Sequence, residues 1–356
     1  MNRRVWLVLA AMVVVLCAAV AIRLSIGTAS IGGREHALSD DSSADTGSLG
    51  RDEADSVRSG PLTWIDPLDG RTRASFDSPT YFAAAVENSP AARPQRGLAD
   101  ARVVYEMLAE GGITRFVAFY SACDGGPIGP IRSARPYLVE VAQEHGAMFV
   151  HCGGSAEALA MIARLKYPAI NEMRNGVAFF RDPSRRMPHN LFAKPKALAE
   201  QARKLGIRTD FAESGFEFAK APVRMKDHAS KATIKYPAGY LVRWEYDPSS
   251  NRCLRFMGGQ PHTDPDSQAQ ISAANVIIQY AVTKIIDKEG RVSIARQGSG
   301  DALMLIGGRI VRGSWEREAS DPTRYLGPDG ACVKLNPGAT WIQVVPVGTD
   351  VQIVEG

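Results

Sequence analysis

The sequence predicts an α+β fold: an N-terminal mixed α/β domain (61–210) followed by a smaller, mostly antiparallel β domain (211–356). Three observations carry this. An apolar fraction of 45% in 356 residues is enough to build a real core. From Pro61 to about Lys204, short β-like runs alternate with helix-like ones. After about Phe216, β-runs are separated by turn pairs such as Glu289-Gly290, Gly307-Gly308 and Asp329-Gly330.

Two segments precede these domains. Residues 1–26 hold Met1-Asn2-Arg3-Arg4, an uncharged run from Val5 to Ile22, and Arg23. That run is long enough to reach roughly across a bilayer, so the segment reads as a signal anchor or a signal peptide. The two arginines favour a cytoplasmic amino terminus and place the rest of the chain outside the cytoplasm, on the cell membrane as a single-pass protein. Ala19-Val20-Ala21 suits signal-peptidase cleavage, which would give a secreted form. Residues 27–60 are rich in Ser, Gly, Ala and Asp, with seven acidic side chains against three arginines. Such a segment buries too little apolar surface to offset its ordering entropy and is expected to be a disordered acidic tether.

In the first domain, Tyr81–Val86 reads as a strand, and Val103–Leu108 with Thr114–Tyr120 as a hairpin across Gly111-Gly112. Ser133 is expected to cap a helix running to about His145, with Pro136 in its first turn. Ala147–His151 follows as a buried strand, Ser155–Leu165 as a helix, Gly176–Arg181 as a strand and Pro195–Leu205 as a helix ended by Gly206. In the second domain, strands are expected over Thr233–Tyr236, Leu241–Asp247, Leu254–Met257, Val276–Ile286, Val292–Gln297, Ala302–Ile306, Arg309–Trp315, Thr340–Val345 and Val351–Val354.

The chemistry-bearing residues concentrate in VVYEMLAEGGITRF, GPIRSARPY and FVHCGGS, between positions 103 and 155. Glu106 and Glu110 are candidate catalytic acids. In a strand they share a face but stand about 13 Å apart, too far for paired acid–base work on one bond. In a helix they would approach to about 6 Å. Alternatively, Gly111-Gly112 turns Glu110 back towards a ligand, or Glu110 or Glu106 simply pairs with Arg115. Arg132 and Arg135 flank the expected helix start, where unpaired backbone N–H groups and guanidinium forks favour a carboxylate or phosphate. They would equally well clamp Glu106, Glu110 or Glu140. His151 with Gly153, Gly154 and Ser155 at a helix amino terminus would hold an oxyanion, and Ser155 would also serve as an ordinary cap. His189 and Asn190 either order their loop or contribute to the cleft.

Other chemistries are disfavoured. HTDPD (262–266) carries donor atoms but lacks the HExxH, EF-hand or cysteine-cluster spacing of a metal site, so no metal is expected. Neither a Walker loop nor a GxGxxG after a strand occurs, and no cofactor is expected. A net charge of +4 without a basic, aromatic-interleaved run argues against nucleic acid. Cys123, Cys152, Cys253 and Cys332 lie beyond the apolar run, and an oxidising exterior permits Cys123–Cys152 and Cys253–Cys332 bridges, with free buried thiols as the alternative.

EMLAEGGITRF, IGPIRSARPY, HCGGS and PHNLF, followed by SAANVII and LNPGATWI in the same order, resemble the YerB-like family of bacterial envelope lipoproteins. The resemblance covers about Pro61 to the carboxyl terminus and implies a two-domain extracytoplasmic protein of unassigned activity. Leu16 before Cys17 departs from it, because lipidation sites need a small residue there. Two functions are compatible with these residues. One is binding of an anionic wall polymer or lipid-linked precursor through Arg115, Arg132, Arg135 and the 151–155 turn. The other is a wall-modifying hydrolase or lyase with Glu106 or Glu110 as general acid. Whether the protein is an enzyme stays open at this level.

Overall fold

The computed structural model describes residues 63–73, 80–122, 125–208, 214–226, 230–319 and 321–356. The signal segment, the tether and Cys123 lie outside the described residues. Among the described residues, no helix is long and apolar enough to cross a membrane.

A ten-stranded sheet organises the molecule. In chain order its strands are β1 (Tyr81–Glu87), β2 (Val103–Leu108), β3 (Thr114–Ser121), β4 (Met148–His151) and β5 (Ala169–Asn171) from the first half. A second sheet then takes β6 (Lys231–Lys235), β7 (Leu241–Asp247), β8 (Arg252–Met257), β9 (Gln260–Pro261) and β10 (Ser272–Ala273). The chain returns to the large sheet with β11 (Asn275–Ala281), β12 (Gly298–Ile306), β13 (Arg309–Arg317), β14 (Arg324–Leu326) and β15 (Thr340–Pro346), and ends on β16 (Val351–Val354) in the second sheet. The large sheet runs β14-β13-β12-β11-β15-β2-β3-β1-β4-β5. The two halves of the chain meet where β15 lies parallel to β2, Thr340 opposite Val103 and Val344 opposite Met107.

Both faces of this sheet are covered, which is why its central strands read as unbroken apolar runs. Tyr81, Ala83, Ala85, Val117 and Phe119 face helices α1 (Pro136–Glu144) and α2 (Ala156–Leu165). Phe82, Ala84, Val86, Phe116 and Ala118 face α3 (Pro195–Lys204) and the inner face of the second sheet, where Trp244 meets Trp341 edge-on at 5.3 Å.

Several boundaries differ from expectation. Arg135, not Ser133, occupies the N-cap of α1, because Pro136 sits at the first helical position and forces the residue before it to be extended. Gly176–Ala178 is a 3-10 turn ahead of the strand Phe179–Arg181. The run expected over Val276–Ile286 stops at Ala281; Thr283–Ile285 then pairs with Val292–Ile294 as a separate hairpin. Cys152, Cys253 and Cys332 are free, so of the two alternatives for Cys253 and Cys332, bridge or free thiols, the structure has free thiols. Cys253 is buried in the core, whereas Cys332 accepts a hydrogen bond from Arg324 at the surface.

Candidate functional site

The three polar stretches come together at one end of β1, β3 and β4. The segment 129–135 is threaded between β1 and the HCGGS turn. Arg132 N–H donates to Ala85 O at 2.8 Å, Cys152 N–H to Arg132 O at 3.0 Å, and Ala134 N–H to Gly153 O at 3.0 Å. Gly154 is needed for this approach, since a Cβ there would stand 2.9 Å from that of Ala134. Gly153 adopts φ +61°, a left-handed conformation suited to glycine.

Three guanidiniums gather over this loop. Arg115, at the start of β3, donates to Ser133 O at 2.9 Å and lies 3.5 Å from Glu110. Arg135 donates through Nε to Glu110 and through Nη1 to Ala134 O at 2.7 Å. Arg132 Nε stands 3.1 Å from Glu87 Oε2, which His189 Nδ1 also approaches at 2.9 Å. Burial depresses the pKa of Arg115, and the charges of Arg135 and Arg132 push the same way. Burial alone would raise Glu110, but the Arg135 hydrogen bond and the Arg115 charge outweigh it and hold the carboxyl below its usual range. Glu110 is therefore an anion clamped by two arginines, a poor proton donor. Glu110 lies past the end of β2, in a turn where Gly111 adopts φ +69°.

Glu106 is not at this site. Its side chain is wholly buried, bonded to Arg255 Nη2 at 2.7 Å, Thr114 Oγ1 at 2.7 Å and the Tyr240 hydroxyl at 2.9 Å. The network continues through Asn88, Gln95 and His262, whose Nε2 lies 3.0 Å from Gln95 Oε1. A carboxylate enclosed in this way meets no substrate, which removes Glu106 as a general acid. His262 belongs to the network, Asp264 accepts from Gly97 N–H at 2.6 Å, and Asp266 pairs with Arg96 at 2.7 Å.

The remaining candidates hold the scaffold. The buried His151 ring places Nδ1 2.7 Å from Gly153 O, and burial lowers its pKa. It fixes the glycine turn. Ser155 Oγ accepts from Ala158 N–H at 3.2 Å as the α2 cap. Asn190 accepts from Arg181 at 3.1 Å and donates to Asp182 O at 3.4 Å, ordering the 182–190 loop.

Beside Arg135, a cavity of about 130 Å³ opens between α1, the start of α2 and the 283–294 hairpin, lined by Arg135, Tyr137, Glu140, Ser155, Arg291 and Ile294. Burial raises the pKa of Glu140, partly offset by Arg296 and Arg317. No described cation lies within salt-bridge distance of Glu140. Sequence reasoning treated Glu140 only as an arginine partner and missed Glu87. The signal for Glu87 was present: a carboxylate ending the wholly buried run YFAAAVE needs a buried cation.

Comparison with known proteins places this arrangement in a family. Residues 71–208 match a family model described as the N-terminal domain of a protein of unknown function (DUF3048), and residues 232–342 match its C-terminal domain. The chain is 29% identical over 285 residues to "Putative lipoprotein YerB" of Bacillus subtilis (strain 168), an alignment covering 79% of this chain and 86% of that protein. The crystal structure of YerB protein from Bacillus subtilis superimposes with a TM-score of 0.73 at 27% identity, covering 82% of this chain and 99% of that one. The chain thus belongs to the two-domain YerB-like family of unknown function.

Proposed function

We propose that this protein is a membrane-attached, extracytoplasmic binding module of the cell envelope, taking an anionic ligand such as a wall polymer or lipid-linked precursor. One observation carries the reading. Arg115, Arg132 and Arg135 converge on one loop against two carboxylates, Glu87 and Glu110. Three guanidiniums face these two carboxylates; Arg115 is buried, while the partly exposed Arg132 and Arg135 present N–H groups that suit a carboxylate or phosphate chain. The relative's description as a lipoprotein supports the envelope address.

A second reading, a wall-modifying hydrolase or lyase, no longer fits Glu106 or Glu110. It is favoured instead by Glu140, a largely buried carboxyl with a raised pKa lining the cavity beside Arg135.

Incubating the purified protein with cell-wall sacculi tests both. Pelleting with the wall, lost in Arg132→Ala and Arg135→Ala, is the expected result. Release of soluble fragments that stops in Glu140→Gln would replace binding by catalysis, and failure of the wild type to pellet would remove the wall as ligand.

A further inference from the structure

A second arginine-lined cavity, of about 250 Å³, opens at the opposite end of the parallel pair β2 and β15. Its walls carry Asp69, Arg71, Arg73, Asp100, Arg102 and Arg252. Two of the four arginines are neutralised within the fold: Arg73 pairs with Asp66 and Asp69, and Arg102 with Asp66. Arg71 and Arg252 are not, for neither has a carboxylate within salt-bridge distance among the described residues.

These two guanidiniums are nevertheless brought together. Gly338, at φ +140°, donates its N–H to Asp69 O at 2.7 Å, which docks the turn carrying Arg71 onto the loop before β15. Arg252 commits Nε to Ser272 Oγ at 2.7 Å and Nη2 to Ser272 O at 2.8 Å, leaving Nη1 directed elsewhere. Arg71 Nη2 and Arg252 Nη1 stand 3.6 and 3.7 Å from the single point that a Cβ on Gly338 would occupy. The Arg71 charge acts unfavourably on Arg252, and an anion in this polar recess that reached both guanidinium forks would relieve that repulsion and accept several charge-assisted hydrogen bonds.

We propose that Arg71 and Arg252, over Gly338, form a second anion site that takes a phosphate-type oxyanion, free or carried on a lipid headgroup. The site shares no residue with the Arg132–Arg135 face and stands or falls independently of it. Because it draws Arg71 from one family-model segment and Arg252 with Ala339 from the other, its occupant also ties the two halves of the chain together.

Titration of the full chain with inorganic phosphate at constant ionic strength tests the proposal, with acetate as the control anion. Arg71 is exposed, so Arg71→Gln is expected to fold as the wild type does, with an unchanged melting temperature in chloride. It should bind phosphate about tenfold more weakly or worse, while Arg71→Lys recovers part of the loss. A parallel arm measures binding to phosphatidylcholine vesicles with and without phosphatidylglycerol. A loss in Arg71→Gln confined to the vesicle arm assigns the phosphate to a headgroup, and a loss in solution assigns it to a free anion. Wild-type levels of binding by Arg71→Gln in both arms, or no phosphate binding by the wild type in either, would overturn the assignment.

Discussion

Glu106 on β2 and Arg255 on β8, 149 positions apart in sequence, share a 2.7 Å hydrogen bond with both side chains wholly buried. The guanidinium lies 4.8 Å from the ring centre of Trp341 and 5.7 Å from that of Phe116, so the charge is enclosed by aromatic faces and the network around it. Removing one partner leaves the other charged and desolvated. Glu106→Gln is expected to destabilise the fold by roughly 3–5 kcal/mol, while the double replacement Glu106→Gln with Arg255→Met recovers much of that loss. Urea denaturation of the two single variants and the double variant measures it; additive losses would show that the two groups act independently.

Stability should fall with acid through a buried histidine. Burial lowers His145 from 6.5 to about 4; the neighbouring Glu144 opposes the shift, and Arg296 and Arg317 reinforce it. The ring is enclosed by Tyr105, Phe119 and Phe216, and Nδ1 finds no partner. The unfolded chain therefore takes up a proton near pH 6.5 that the native protein resists. This stabilisation is complete above 6.5 and is lost as the pH falls from 6.5 to about 4, a change of roughly 3 kcal/mol. Denaturation midpoints at pH 7.5, 5.5 and 4.5 should decline more steeply in the wild type than in His145→Gln.

Ser155 is assigned a capping role, which separates it from ligand binding. Ser155→Ala should cost about 1 kcal/mol of stability. Wall binding per folded molecule should be unchanged, and a specific loss of binding at full folding would return Ser155 to the site.

Gly129 controls the loop that presents Arg132 and Arg135. At φ +143°, an added Cβ would stand 2.8 Å from Leu191 O and 2.9 Å from Ile131 N, both backbone atoms without freedom to retreat. Gly129→Ala is expected to destabilise by about 2 kcal/mol or more and to weaken wall binding together with Arg132→Ala. Thermal melting and pelleting on the same preparation check both effects.

Much of the local structure was legible in the sequence. The β2–β3 hairpin, the Leu241–Asp247 and Val351–Val354 strands and the Ser155 cap follow from apolar patterning and cap chemistry, which act over a few residues. The displaced α1 cap was readable too, since Pro136 excludes a helical conformation at Arg135. Arg255 was harder to place. On β8 it shares the inward face with Cys253, but RCLRFM alternates ambiguously, with apolar groups on both faces. The separation of Glu106 from Glu110 follows from β2 ending at Leu108 ahead of the 110–112 turn, one of three conformations that the residues themselves allow.

By itself, the sequence determined most of the longer strands and helices, but not short strands such as Ala169–Asn171 and Arg324–Leu326, and it showed that polar chemistry gathers between positions 103 and 155 in a loop rich in arginine and glycine. These depend on periodicity and on the steric demands of single residues. Only the tertiary structure decided which charges are sealed and which are available. That depends on partners distant in sequence: Arg255 closes over Glu106, while Glu87 reaches Arg132 across the loop and Gly338 docks the turn carrying Arg71 beside Arg252. A buried charge takes its meaning from its neighbours, and non-local strand pairing sets those neighbours.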